Sequence, residues 1–207
     1  MFRTVFAVCL CLGVANCAKP VADSCEASAD AMLDLSFAAF DQGLEGWRSL
    51  DGSLACSDYA DDVLAAYRSR HGPSLSPANA SLLMWHEAQV LAVQGDSARS
   101  LNLMRKAAYP GEPQWQQLYR EGSIAFLEGE MARLQTARDR LSRLPRDPSL
   151  TFPGGRAVAW PPNLDVLDGL ISCFGKPYSV AYACRRPGQQ SLSVSNNAAE
   201  TRGHAVG

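Results

Sequence analysis

The chain has 207 residues, a net charge of −2, an apolar fraction of 47% and a charged fraction of 19%. Such a composition suits a folded domain with a real core and excludes a fibrous or wholly disordered chain. A net charge this small gives no general attraction to nucleic acid or to an anionic membrane surface.

Met1-Phe2-Arg3 carries one positive charge, and an apolar run follows from Thr4 to Ala15. A helix needs about 20 apolar residues to span a bilayer, so this run is too short. With the small residues Gly13 and Ala15 behind it, the segment over residues 1–18 reads as a signal peptide for export to the periplasm. Val14-Ala15-Asn16-Cys17 resembles the lipobox of bacterial lipoproteins, although Asn16 stands where Gly, Ala or Ser is usual. The resemblance implies lipidation of Cys17, and a soluble exported form and a lipid-anchored form both stay open.

Among the seven cysteines, Cys9 and Cys11 fall inside the signal segment. Cys25, Cys56, Cys173 and Cys184 then form an even set, as expected in an oxidising compartment. Shorter loops cost less entropy to close, which favours the pairs Cys25–Cys56 and Cys173–Cys184. No Cys-x-x-Cys spacing or neighbouring histidine pair accompanies them, so no metal is expected.

Taken in chain order, the first element is a core-facing helix from Asp30 to Phe40, with Met32, Leu33, Leu35, Phe37, Ala39 and Phe40. Gly43 and Gly46 break the chain before Trp47. After Ser57 comes a helix with Val63, Leu64 and Tyr67 at helical spacing, ended by His71-Gly72-Pro73. Ser76-Pro77 is a helix start, with serine at the N-cap and proline at the first helical position. Leu82, Leu83, Met84, Trp85, Ala88, Leu91 and Ala92 recur up to Gly95. Asp96 caps a further helix with Ala98, Leu101, Met104 and Ala107, stopped by Tyr109-Pro110-Gly111. Pro113-Gln114-Trp115 opens the next, with Leu118, Ile124 and Phe126 up to Gly129. Glu130 leads into Met131, Leu134, Ala137, Leu141 and Leu144, stopped by Pro145.

Gly95 and Gly129 lie 34 residues apart, and at that offset Glu87 meets Glu121, Trp85 meets Tyr119 and Ala98 meets Ala132. Met84 with Ala88, and Leu118 with Gly122, place a large and a small residue at matching points of each first helix. A 34-residue period with this pattern resembles the tetratricopeptide repeat (TPR) over residues 77–145. Ser100 and Leu134 depart from that family's alanine, and Met104 and Arg138 from its aromatic residue. The resemblance implies stacked helical hairpins over residues 26–145 with a concave face that binds peptide or protein.

Residues 146–162 form a connector rich in proline and glycine. Asn163 then caps an amphipathic helix with Leu164, Leu167, Leu170, Ile171 and Phe174, and a last short segment runs from Tyr178 to Cys184. A Cys173–Cys184 bridge would staple that C-terminal segment, residues 163–186, onto the domain. The stretch from Trp160 to Cys184 resembles a block of uncharacterised exported proteins of Gram-negative bacteria, which implies a location and no activity. Residues 187–207 read as a disordered tail.

Chemistry is sparse. His86-Glu87 begins the zinc-protease pattern H-E-x-x-H, but Val90 stands where the second histidine belongs. The other histidines are His71 and His204, and no Ser-His-Asp arrangement, nucleophile elbow or phosphate loop can be assembled from the chain. The pairs Asp61 with Asp62 and Asp165 with Asp168 read as solvated helix faces. Arginines from Arg133 to Arg146 crowd one helix, either balancing the acidic stretch before Asp62 or offering a basic strip to an acidic partner. No catalytic residue and no cofactor is therefore expected.

The candidate binding residues are Trp85, His86, Glu87, Trp115, Tyr119 and Arg120, with a core role for the aromatic ones as the alternative. The sequence predicts an all-α fold of TPR-like stacked hairpins with a disulfide-stapled C-terminal helix. Its expected role is a non-catalytic module that binds a peptide or protein partner, with no nucleic acid and no membrane contact beyond a lipid anchor. The competing reading is an envelope enzyme or small-ligand binder built around Trp85-His86-Glu87.

Overall fold

The computed structural model describes residues 21–51, 56–147 and 159–184. The signal segment, Cys17, most of the connector and the tail lie outside them. Among the described residues the fold is all-α, with helices α1 (Val21–Met32), α2 (Phe37–Gln42), α3 (Arg48–Asp51), α4 (Ala60–His71) and α5 (Pro77–Gln94). They are followed by α6 (Ser97–Lys106), α7 (Gln114–Leu127), α8 (Met131–Ser142), α9 (Leu164–Ser172) and α10 (Tyr178–Ala183). No helix among these residues is long and apolar enough to cross a membrane.

The expected single helix from Asp30 to Phe40 is instead two. The chain turns after Met32, with the Leu35 N–H donating to the Met32 carbonyl. Ser36 adopts an extended conformation there, and its hydroxyl accepts from the Ala39 N–H at 3.3 Å, which starts α2 afresh. A serine satisfies an orphan amide at a helix start, whereas in a helix interior it competes with the backbone. The run of apolar residues hid that cap.

Helix α5 is the centre of the molecule. Leu83 and Val90 join the apolar cluster of α1–α4, while Trp85, Ala88 and Ala92 join a second cluster formed by α5–α10. Apolar side chains fall all round α5 because it is buried on both sides. Its start is the one read from the sequence: Ser76 accepts from the Asn79 N–H, and Pro77 sits in the first turn.

The pair α5–α6 and the pair α7–α8 are antiparallel hairpins that close in the same way. Gly95 and Gly129 both take positive φ, 92° and 74°, a conformation glycine reaches without Cβ strain. The Gly95 N–H donates to Ala92 and the Asp96 N–H to Leu91, at 3.2 and 2.9 Å. Exactly 34 positions on, Gly129 donates to Phe126 and Glu130 to Ala125, at 3.0 and 2.8 Å. The period is thus a property of the backbone as well as of the sequence.

Close approach explains the small residues. A Cβ at Gly122 would lie 2.7 Å from a Leu167 methyl of α9 and 3.4 Å from Leu134 of α8. Ser100, one of the departures from the TPR pattern, donates its hydroxyl to the Ala88 carbonyl at 2.7 Å. It meets its own hydrogen-bonding need inside the helix interface and stays as small as the contact requires.

Helix α9 packs against α7 and α8, where the first helix of a further hairpin would stand. Trp160 holds its entry, donating its indole N–H to the Leu144 carbonyl at 3.0 Å. Asn163 precedes α9 as expected but caps it differently. It takes the left-handed region, φ 61°, and its side chain makes no cap bond. Asn tolerates that conformation better than most non-glycine residues.

Both expected disulfides are present, Cys25–Cys56 and Cys173–Cys184. The first ties α1 to the 3-10 turn (Ser57–Tyr59) before α4, and the second ties α9 to the end of α10. Two such bonds fit a compartment outside the reducing cytosol.

Candidate functional site

Trp85, His86 and Glu87 follow one another on α5, and each residue of a helix advances about 100° round its axis. The structure therefore sends them to three different neighbours. Trp85 meets Tyr119 of α7 edge-on, with ring centroids 5.1 Å apart. His86 reaches Asp41 of α2, and Glu87 reaches Arg68 of α4. No common pocket gathers the three.

Trp85 and Tyr119 are core residues, 9% and 4% exposed. Gln89 donates its amide to the Tyr119 hydroxyl at 3.1 Å, bridging the two first helices. Trp115 is half-buried against the same cluster. Arg120 pairs with the buried Glu112 at the α6–α7 turn, where Gln117 also donates to the Glu112 carbonyl.

Glu87 accepts from Arg68 at 2.7 and 3.2 Å, a two-toothed ion pair with the carboxylate fully buried. The Glu87 hydrogen bond raises the Arg68 pKa above its ordinary value. This pair joins α4 to α5.

The His86 environment was not legible in the sequence. Its Nδ1 lies 2.6 Å from an Asp41 carboxylate oxygen, and its Nε2 lies 3.3 Å from an Arg48 guanidinium nitrogen. A guanidinium only donates, so Nε2 accepts and Nδ1–H donates to Asp41. Asp41 also receives the Trp47 indole N–H and the Gln42 amide, while Arg48 bonds the Asp41 carbonyl and lies 4.3 Å above the Trp47 ring. A buried Asp–His pair orients the imidazole of many hydrolases. Here the free ring nitrogen meets a cation that cannot be deprotonated, and the cluster pins α2 and α3 to α5.

The arginines of α8 are met locally. Arg133 pairs with Glu128 and Glu130, Arg138 with Asp168 of α9, and Arg140 with Glu121 of α7. Their partners are neighbouring helices and not the acidic N-terminal stretch. Paired at the surface, they add little net stability and do not form an unopposed basic strip.

One face is left to consider, the inner face made by the first helix of each hairpin. Along α7, Tyr119, Ser123 and Phe126 recur at i, i+4 and i+7 and share one stripe. Phe126 meets Phe174 and Tyr178 edge-on, at 5.8 and 5.9 Å. Helix α10 packs on α9 and on α5, so it crosses this row and brings Tyr178 and Ala181 into the cluster of Trp85 and Tyr119. Helix α10 thus lies against Phe126 and the Trp85–Tyr119 cluster, where the repeat pattern led one to expect an open groove.

Beside the start of α10, where the ends of α5 and α7 meet the α9–α10 turn, lies an open cleft of about 490 Å³, lined by Val93, Phe126, Leu127 and Phe174 together with Gln94, Ser97 and Lys176. Val93 is 46% exposed there. Val93 and Leu127 are 34 positions apart, so the cleft repeats across the two hairpins. Sequence reasoning missed Asp41, Arg48, Val93 and the α10 contact; the period applied to Val93 would have found the last wall. Among the described residues no group of acidic, histidine or cysteine side chains is arranged to hold a metal. Compared with protein families, curated proteins and solved structures, the chain matches none.

Proposed function

We propose that this protein is a non-catalytic interaction module, exported to the periplasm and either free there or anchored through Cys17. It binds a peptide or protein segment along the inner face of its hairpins, as TPR proteins do. The observation that carries this reading is the open cleft beside α10. Val93, Phe126, Leu127 and Phe174 give it apolar walls that repeat at the hairpin period, and Gln94, Ser97 and Lys176 place polar groups among them. Apolar walls interleaved with polar groups suit a segment that buries some side chains and hydrogen-bonds through others.

Affinity capture from an envelope extract tests it, comparing the wild-type protein with Val93→Glu. The substitution is at a half-exposed position and leaves the core alone. A specific partner retained by wild type and lost by Val93→Glu supports the reading, and an identical set of captured proteins contradicts it.

A further inference from the structure

We infer that Arg48 is a recognition site for a carboxylate group, separate from the cleft beside α10. Its guanidinium is already held in place, most of its N–H groups are unspent, and no carboxylate of the described residues pairs with it.

The side chain is fixed on three sides. Its Nη1 donates to the Asp41 carbonyl, its Nη2 lies 3.3 Å from His86 Nε2, and it stacks 4.3 Å above the Trp47 ring. A guanidinium has five N–H donors in a rigid fork. The contacts to Asp41 and His86 use two of them and leave the rest. A flexible side chain ordered before the ligand arrives lowers the cost of binding.

None of these partners is an anion. Every arginine within α4, α6, α7 and α8 is in an ion pair with a carboxylate. Asp41 spends one carboxylate oxygen on His86 and Trp47 and the other on Gln42. Arg48 is open to solvent, yet enough protein surrounds its head that burial lowers its pKa. The charges of Asp41, Asp51 and Tyr182 offset that only in part. An anion brought to the fork supplies the missing compensation.

The fork and its surroundings select the kind of anion. A carboxylate is planar, carries one charge and accepts two parallel N–H bonds from a guanidinium. The nearby charges of Asp41 and Asp51 oppose the second charge of a phosphate dianion.

The test is an NMR titration of the full chain at pH 8, read at the Arg48 Nε–H and the Trp47 indole N–H. The probes are sodium acetate, neutral acetamide of similar shape, and inorganic phosphate. Acetate should shift both signals saturably, acetamide should leave them alone, and phosphate should bind more weakly than acetate. N-acetylalanine and the α-amide of N-acetylglutamate then compare a chain-terminal with a side-chain carboxylate. Saturable binding of either supports the site, and the tighter one names its source. In Arg48→Lys the acetate affinity should fall roughly tenfold or more, as when a hydrogen bond to a charged group is lost. Equal shifts with acetate and acetamide, tighter binding of phosphate, or acetate shifts no larger at Arg48 than at the exposed Arg143 would each overturn the inference. Unchanged affinity in Arg48→Lys would do the same. The wild-type comparison of probes needs neither a variant nor a cellular partner, so it is decided independently of the capture experiment.

Discussion

The imidazole of His86 is held 2.6 Å from the carboxylate of Asp41, a residue 45 positions earlier and fully buried. This contact fastens the short helices before Trp47 to the central helix of the fold. Burial by itself raises the Asp41 pKa, but the hydrogen bond from His86 and the Arg48 charge outweigh it. The net value falls below the ordinary 3.8.

A folded pKa below the unfolded one means that this carboxylate stabilises the fold fully above its ordinary value and loses that contribution as pH falls through the folded value. Asp41→Asn is expected to cost about 1.5–3 kcal/mol at pH 7, the range for a hydrogen bond to a charged group. Urea unfolding at pH 7 and in mild acid checks it. The gap between wild type and variant should be constant down to about pH 5 and narrow below the carboxylate range.

Gly122→Val should destabilise the protein by about 1–3 kcal/mol, because added methyls in a filled interface force side chains off their rotamers. The Cβ alone reaches within 2.7 Å of Leu167. Denaturant midpoints give the cost, and a second variant, Gly122→Val with Leu167→Ala, should recover part of it.

Ser100→Ala restores the alanine usual in TPR hairpins and removes one hydroxyl bonded to the Ala88 carbonyl. Its expected cost is about 1 kcal/mol or less, since that carbonyl belongs to a helix and both partners are not left bare. Ser100→Leu, at the same buried position, should cost several times more, as thermal unfolding of the two variants will show.

Removing the Cys25–Cys56 bond by a double serine substitution should cost about 3–4 kcal/mol on the loop-entropy relation for a separation of 31 residues. Calorimetry of wild type and variant measures it.

What could be read from the sequence followed local rules. Ser76 with Pro77, the cap at Asp96 and the glycines at 95 and 129 declare themselves through neighbours a few positions away. The 34-residue offset needs only the chain compared with itself, and both disulfides followed from loop length. Asp41 could not be found this way, because its partners His86 and Arg48 come from separate helices and no period links them. The split between α1 and α2 was masked by the apolar run across Ser36, whose role as a cap depends on where the chain turns. Helix α10 was seen as an element, but its seat on α5 is set by tertiary packing that the pattern Tyr178-x-x-Ala181-Tyr182 does not address.

The claim that the inner face is the binding surface is tested most directly by placing a photoactivatable crosslinking residue at Val93. The control places it at Asn102, on the outward side of α6, and both proteins are irradiated in intact cells. The account predicts a discrete crosslinked polypeptide from position 93 and none from position 102. Equal crosslinking from both positions, or none from Val93, would contradict it.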